Sequence, residues 1–127
     1  MTYLSNGKNN KRTGAEFEKE FCAVLSEKGF WVHFCTPAQN GSQPCDIIAV
    51  KNEEAFLIDC KTCKDKRFNI SRLEDNQIYA FRRWAKCGNK NRYIAIKHED
   101  KIYWVDYDIL EKIEGKSLEL TDEFIFR

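Results

Sequence analysis

The chain is expected to fold as one α/β domain with a mixed central β-sheet flanked by helices. Three observations predict it. Apolar residues recur at helical spacing in residues 13–28, and a capping box and Gly88 bracket a second helix in residues 71–86. Strand-length apolar runs occupy residues 30–35, 46–50, 55–61, 93–97 and 102–105. The resulting order is helix, three strands, helix, two strands, a short helix and a tail, which is a layered α/β pattern. At 127 residues and 43% apolar composition, one domain with a real core is expected.

The elements follow in order. Residues 1–12 are polar and are expected to form a frayed arm, with Lys8, Lys11 and Arg12 making it basic. Lys11 and Arg12 are candidate contacts for a polyanion. The domain proper is placed at residues 13–127. Thr13 is expected to cap a helix that Gly29 stops near Lys28, with Phe17, Phe21, Val24 and Leu25 on its core face. Phe30 to Cys35 follows as a strand, in which His33 is expected to be packed. Thr36 to Gln43 is a loop with a turn at Asn40-Gly41.

A hairpin then forms the centre of the chain. Pro44-Cys45-Asp46-Ile47-Ile48-Ala49-Val50 and Ala55-Phe56-Leu57-Ile58-Asp59-Cys60-Lys61 are nearly continuous apolar runs, as strands buried on both faces are. The polar residues Lys51 to Glu54 make the turn. If Val50 faces Ala55, then Ile48 faces Leu57 and Asp46 faces Asp59. Alternation puts Lys61 on the face of Asp59. Two facing carboxylates repel, and burying them costs roughly several kcal/mol without compensation. A divalent cation supplies that compensation, and an all-oxygen set suits Mg²⁺ or Mn²⁺. Lys61 can then orient or deprotonate an attacking water, or offset charge on a phosphate. The plainer alternative is a hairpin whose acids only end the strands at the surface.

Pro44-x-Asp46 followed by Asp59-x-Lys61 resembles the P-D…(D/E)-x-K signature of the restriction-endonuclease-like nuclease superfamily. Short D-x-K matches are common, but the flanks narrow the resemblance. Gly14-Ala15-Glu16-Phe17-Glu18, Gly29-Phe30-Trp31-Val32, Thr36-Pro37-Ala38, Asp46 to Asn52 and Asp59 to Asp65 together are similar to Holliday-junction resolvases. The likeness is to the archaeal type and its phage and Gram-positive relatives, over roughly residues 11–105. It implies a restriction-endonuclease-like core, a Mg²⁺-dependent endonuclease in which Mn²⁺ can substitute, and a homodimer acting on four-way DNA junctions.

Residue by residue, the resemblance adds Glu18, four positions after Gly14, to the metal site of Asp46 and Asp59, with Lys61 completing the catalytic set. Thr36 stands where archaeal resolvases carry a substrate-contacting serine. Gln77 corresponds to a glutamine at the site of many relatives, some of which continue to a tyrosine where this chain has Phe81. Asp59 replaces the commoner glutamate, which shortens one ligand arm by a methylene.

Beyond the hairpin, Lys64, Lys66 and Arg67 lie in a stretch expected to be a loop, Thr62 to Asn69, where a phosphate backbone would pass. Ser71-Arg72-Leu73-Glu74 is a candidate capping box for a helix closed by Gly88, with Arg82, Arg83 and Lys86 near its end. Two strands joined at Glu99-Asp100 follow, then a short helix capped by Asp106. Phe124, Ile125 and Phe126 suit either a partner surface or the chain's own core.

The remaining features bound the function. No apolar run has membrane length and no export signal precedes Asn10, so a cytoplasmic, reducing compartment is expected, with all six cysteines as thiols. Cys60-x-x-Cys63 lacks the second pair that a zinc site needs. Residues 98–127 hold nine acids and four bases, a balance of −5, so residues 1–97 carry +6 of the net +1. Two other readings stay open: a nuclease of the same fold for duplex ends, mismatches or specific sites, and an inactive DNA-binding module.

Overall fold

The computed structural model describes residues 6–35 and 45–127, with side chains from residue 14 onward. Helix α1 spans Asn6–Glu27. It therefore begins ahead of Thr13, and residues 6–12 of the expected arm are helical. No proline or glycine interrupts Lys8 to Arg12, and lysine and arginine propagate a helix well. Gly29, at φ 94°, takes the left-handed conformation that ends the helix.

Among the described residues, five strands form the main sheet in the order β1-β2-β3-β5-β6. β1 (Trp31–Phe34), β2 (Ile47–Lys51) and β3 (Glu54–Thr62) are successively antiparallel. The hairpin register is the expected one, Val50 with Ala55 and Ile48 with Leu57. The turn is tighter than expected. Asn52 and Glu53, at φ 53° and 66°, make the two-residue left-handed turn whose twist matches flanking strands, and Lys51 pairs with Glu54.

β3 is central and runs parallel to β5 (Arg92–His98). A parallel pair needs a long crossover. Here it contains β4 (Arg67–Asn69), a 3-10 turn at Ile70–Arg72 and α2 (Asp75–Lys86). β6 (Lys101–Asp106), α3 (Tyr107–Lys112) and β7 (Ser117–Glu119) complete the chain. Asp106 caps α3 as expected, its carboxylate accepting from the Asp108 N–H at 2.8 Å.

Alternation along the strands separates two cores. On one face Phe17, Phe21 and Leu25 of α1 pack on Ile47, Ala49, Ile58 and Ala95. On the other, Phe81 of α2 packs with Leu57, Ile94, Ile96, Tyr103 and Val105. Each fully buried large side chain contributes about 1.5–3 kcal/mol.

Three expectations change, and one left open is decided. Residues 62–69 are not a plain loop: β3 extends to Thr62, and β4 pairs with the distant β7. The capping box sits at Glu74 and Gln77 instead of Ser71 and Glu74. The 3-10 turn and the burial of Leu73 delay the helix by one turn. His33 is exposed and stacks on Trp31, because edge strand β1 points both away from α1. Phe126 packs on Phe21 and Trp104, at 5.1 and 5.0 Å between ring centres, so the tail covers the chain's own core.

Candidate active site

The site forms where β2 begins and β3 approaches its end. Asp46 lies one residue before the first pair of β2, and its N–H donates to the Ile58 carbonyl at 3.1 Å. Its carboxylate Oδ2 accepts the Cys60 N–H at 2.8 Å, just past the end of the β2–β3 ladder. Asp59 is fully buried. Lys61, two residues on and therefore on the same face, places Nζ 3.0 Å from Asp59 Oδ2.

The crossover supplies the next group. α2 starts beyond the carboxyl end of β3, and its capping geometry presents Gln77 to the site. Gln77 Oε1 accepts the Glu74 N–H at 3.0 Å and faces Lys61 Nζ at 3.3 Å. Its Nε2 donates to Asp59 Oδ1 at 3.0 Å. One buried amide thus holds a helix start, the lysine and the acid together.

Asp59 Oδ2 is buried, its one charged neighbour at ion-pair distance among the described residues being the Lys61 ammonium. Burial pushes the Asp59 carboxyl well above the usual range, Lys61 opposes this, and Asp46 adds to it. Glu18, half-buried on α1, rises to about 7, chiefly through burial, then through Asp46, with Lys61 opposing. Glu18 therefore feels the same charges as the hairpin acids, although α1 covers the opposite face of the sheet.

A cleft of about 470 Å³ opens beside Lys61. Lys64, Arg67 and Arg72 give it positive charge, and Gly14 and Thr62 form part of its wall. Arg67 is partly committed elsewhere, donating to Ser117 Oγ at 2.9 Å and lying 3.8 Å from Glu119. Arg72 was missed at the level of sequence, where it counted only as part of a cap. Its guanidinium donates to the Thr62 carbonyl at 2.6 Å and stacks on Phe68. Lys66 is exposed nearby in sequence but does not line the cleft.

The sequence model of the archaeal Holliday junction resolvase (Hjc) family matches residues 9–124. The chain belongs to that family. Two curated proteins, both called crossover junction endodeoxyribonuclease Hjc, are similar to it. The one from Methanocaldococcus jannaschii is 26% identical over 95 residues, 75% of this chain and 66% of that protein. The one from Sulfurisphaera tokodaii is 27% identical over 110 residues, 84% of this chain and 74% of that protein. The structure of Archaeoglobus fulgidus Hjc, described as a Holliday junction resolvase, superposes with a TM-score of 0.66. The two are 22% identical, over 84% of this chain and 88% of that one, and share the fold.

Of the residues the Hjc resemblance singled out, Asp46, Asp59, Lys61 and Gln77 meet in one place, with Glu18 coupled to them by charge. Thr36, and the side chains of Lys11 and Arg12, lie outside the described residues. Among the described residues, no three His, Cys, Asp or Glu side chains stand at ligand spacing. The donor chemistry still fits a hard divalent cation: the candidate donors are all carboxylate oxygens, and one is buried. Among the described residues, Cys60 and Cys63 have no further His, Cys, Asp or Glu at ligand spacing, and all six cysteines are free thiols. Among the described residues, no helix is long and apolar enough to cross a membrane.

Proposed function

We propose that this chain is a structure-selective endodeoxyribonuclease that hydrolyses phosphodiester bonds in four-way DNA junctions, with Mg²⁺ as cofactor and a homodimer as the working unit. The observation that carries the reading is buried Asp59 paired with Lys61 beside a cationic cleft. Family membership and the relatives' names as crossover junction endodeoxyribonucleases support the substrate class.

Asp46, Asp59 and Glu18 would hold the cation, which supplies Lewis-acid stabilisation of phosphoryl charge and activates water when bound. The chain's own residues do the rest. Lys64, Arg67 and Arg72 draw a phosphate backbone along the cleft toward Lys61. The Lys61 ammonium offsets charge on the scissile phosphate and aligns the attacking water. Gln77 keeps that ammonium and Asp59 in register, so neither has to reorganise during the reaction. Recognition through phosphate charge and junction shape needs no contact with base edges.

The test compares a four-way junction with linear duplex of the same sequence, at one salt concentration, with Mg²⁺ and with excess chelator. Selective, chelator-sensitive cutting of the junction is expected. Equal cutting of duplex would leave a nuclease of other specificity. Junction binding with no cutting under any divalent cation would leave a binding module.

A further inference from the structure

We propose that Cys35 and Cys45 are a thiol-pair modification site, at which a low-molecular-weight disulfide is reduced, Cys35 becomes bonded to Cys45, and DNA cleavage is suppressed. Their sulfurs already touch, Sγ to Sγ 3.6 Å apart. Both are tied to the catalytic strand. Cys45 immediately precedes Asp46, and the Cys35 N–H donates to the Asp46 carbonyl at 2.8 Å. Both also line an apolar cleft of about 480 Å³ between the sheet and α2, on the face away from α1. Arg83 is part of its lining, which suits a small disulfide bearing carboxylates.

The electron balance is that of thiol–disulfide exchange. Cys35 is half-buried and Cys45 is 2% exposed, so the Cys35 sulfur meets the reagent first. The Cys35 thiol gives up its proton as it attacks one sulfur of R–S–S–R, forming a mixed disulfide and releasing R–S⁻. The Cys45 thiol then attacks the Cys35 sulfur, giving up its proton as it does so, and the second R–S⁻ leaves. Two electrons pass from the protein to the reagent, and the two cysteine protons end on two molecules of R–SH.

A disulfide is about 2.05 Å long, so the sulfurs must close by about 1.5 Å. Any part of that movement taken up by Cys45 strains the residue next to Asp46, whose carboxylate is anchored to the Cys60 N–H. Catalytic groups displaced by about 1 Å lose on the order of a hundredfold in rate. The effect on cleavage rests on the nuclease reading; formation of the bond does not.

The test treats the full chain with oxidised glutathione, maps disulfides by mass spectrometry without reduction, and measures single-turnover junction cleavage and junction binding. The expected result is a Cys35–Cys45 cross-linked peptide, a loss of cleavage of about tenfold or more, unchanged binding, and recovery on adding dithiothreitol. Cys35→Ser should cut like the parent and resist the oxidant, whereas Cys87→Ser should stay sensitive. Mapping that finds only mixed disulfides or another pairing overturns the site. A Cys35–Cys45 bond with cleavage unchanged overturns the effect. If the reduced chain cuts no DNA, the nuclease reading fails, and the map alone still decides the thiol pair.

Discussion

Gln77 Nε2 donates to Asp59 Oδ1 across 3.0 Å, joining the first turn of α2 to the most buried acid of the central strand. The same amide accepts at its other end from the Glu74 N–H, so catalytic geometry and helix capping share one side chain. Gln77→Ala should therefore cost stability and rate together. Loss of the cap and of the buried hydrogen bond should destabilise by about 1–3 kcal/mol. Urea unfolding measures the first effect, and single-turnover kcat at saturating junction measures the second. A variant as stable as the parent would remove the bridging role.

Asp59→Asn should abolish cleavage and spare binding. The substitution keeps the shape of the side chain but removes the charge that faces Lys61. A loss of at least about a hundredfold in single-turnover rate is expected. Junction affinity at fixed salt should change little, because the cationic cleft is untouched. Full cutting by this variant in Mg²⁺ would rule out the mechanism.

Glu18 makes the pH dependence testable. Its folded pKa, about 7, lies above the usual value near 4.5, so ionisation is disfavoured in the folded state. The stability this gives is fully present below about pH 4.5 and is lost as pH rises through about 7. Glu18→Gln should melt a few degrees above the parent at pH 8 without divalent cations, and level with it at pH 4. The gain is small because the side chain is half exposed to screening solvent. If ionised Glu18 serves the reaction, cleavage at limiting Mg²⁺ should climb between pH 6 and 8, with its bend near 7. A flat profile would argue against a role for that charge.

Divalent cations should stabilise the fold itself. A cation at about a hundredfold excess over its Kd adds roughly 2.7 kcal/mol. Melting with Mg²⁺ or Mn²⁺ against chelator should show an upward shift in Tm, removed by Asp46→Asn. An equal shift in that variant would place the ion elsewhere.

The cleft should reveal itself through salt. Lys64→Ala and Arg72→Ala should each weaken junction binding and lower the slope of log K against log salt by about 1. Lys66→Ala, outside the cleft lining, should do so less. Arg72→Ala should also lose a little stability, because its guanidinium holds the Thr62 carbonyl. Unchanged salt slopes would move the phosphate path off this face.

The hairpin was legible from residues alone. Its two strands are separated by a tight turn, which fixes one register, and a slip of one residue would turn Asp46 and Asp59 to different faces. That local constraint brings Asp46 to Asp59 and puts Lys61 on the face of Asp59. The amphipathic stripe of α1, the cap at Asp106 and the α/β layering were equally local. What tertiary structure alone decided is long-range. The pairing of β4 with β7 joins residues about fifty positions apart, as Arg67 with Glu119 shows. The approach of Gln77 to Asp59 depends on where the crossover lands, and the entry of Arg72 into the cleft depends on a 3-10 turn that displaced the predicted cap. Such contacts draw their energy from closing loops and burying faces against distant partners, so no short window of sequence encodes them.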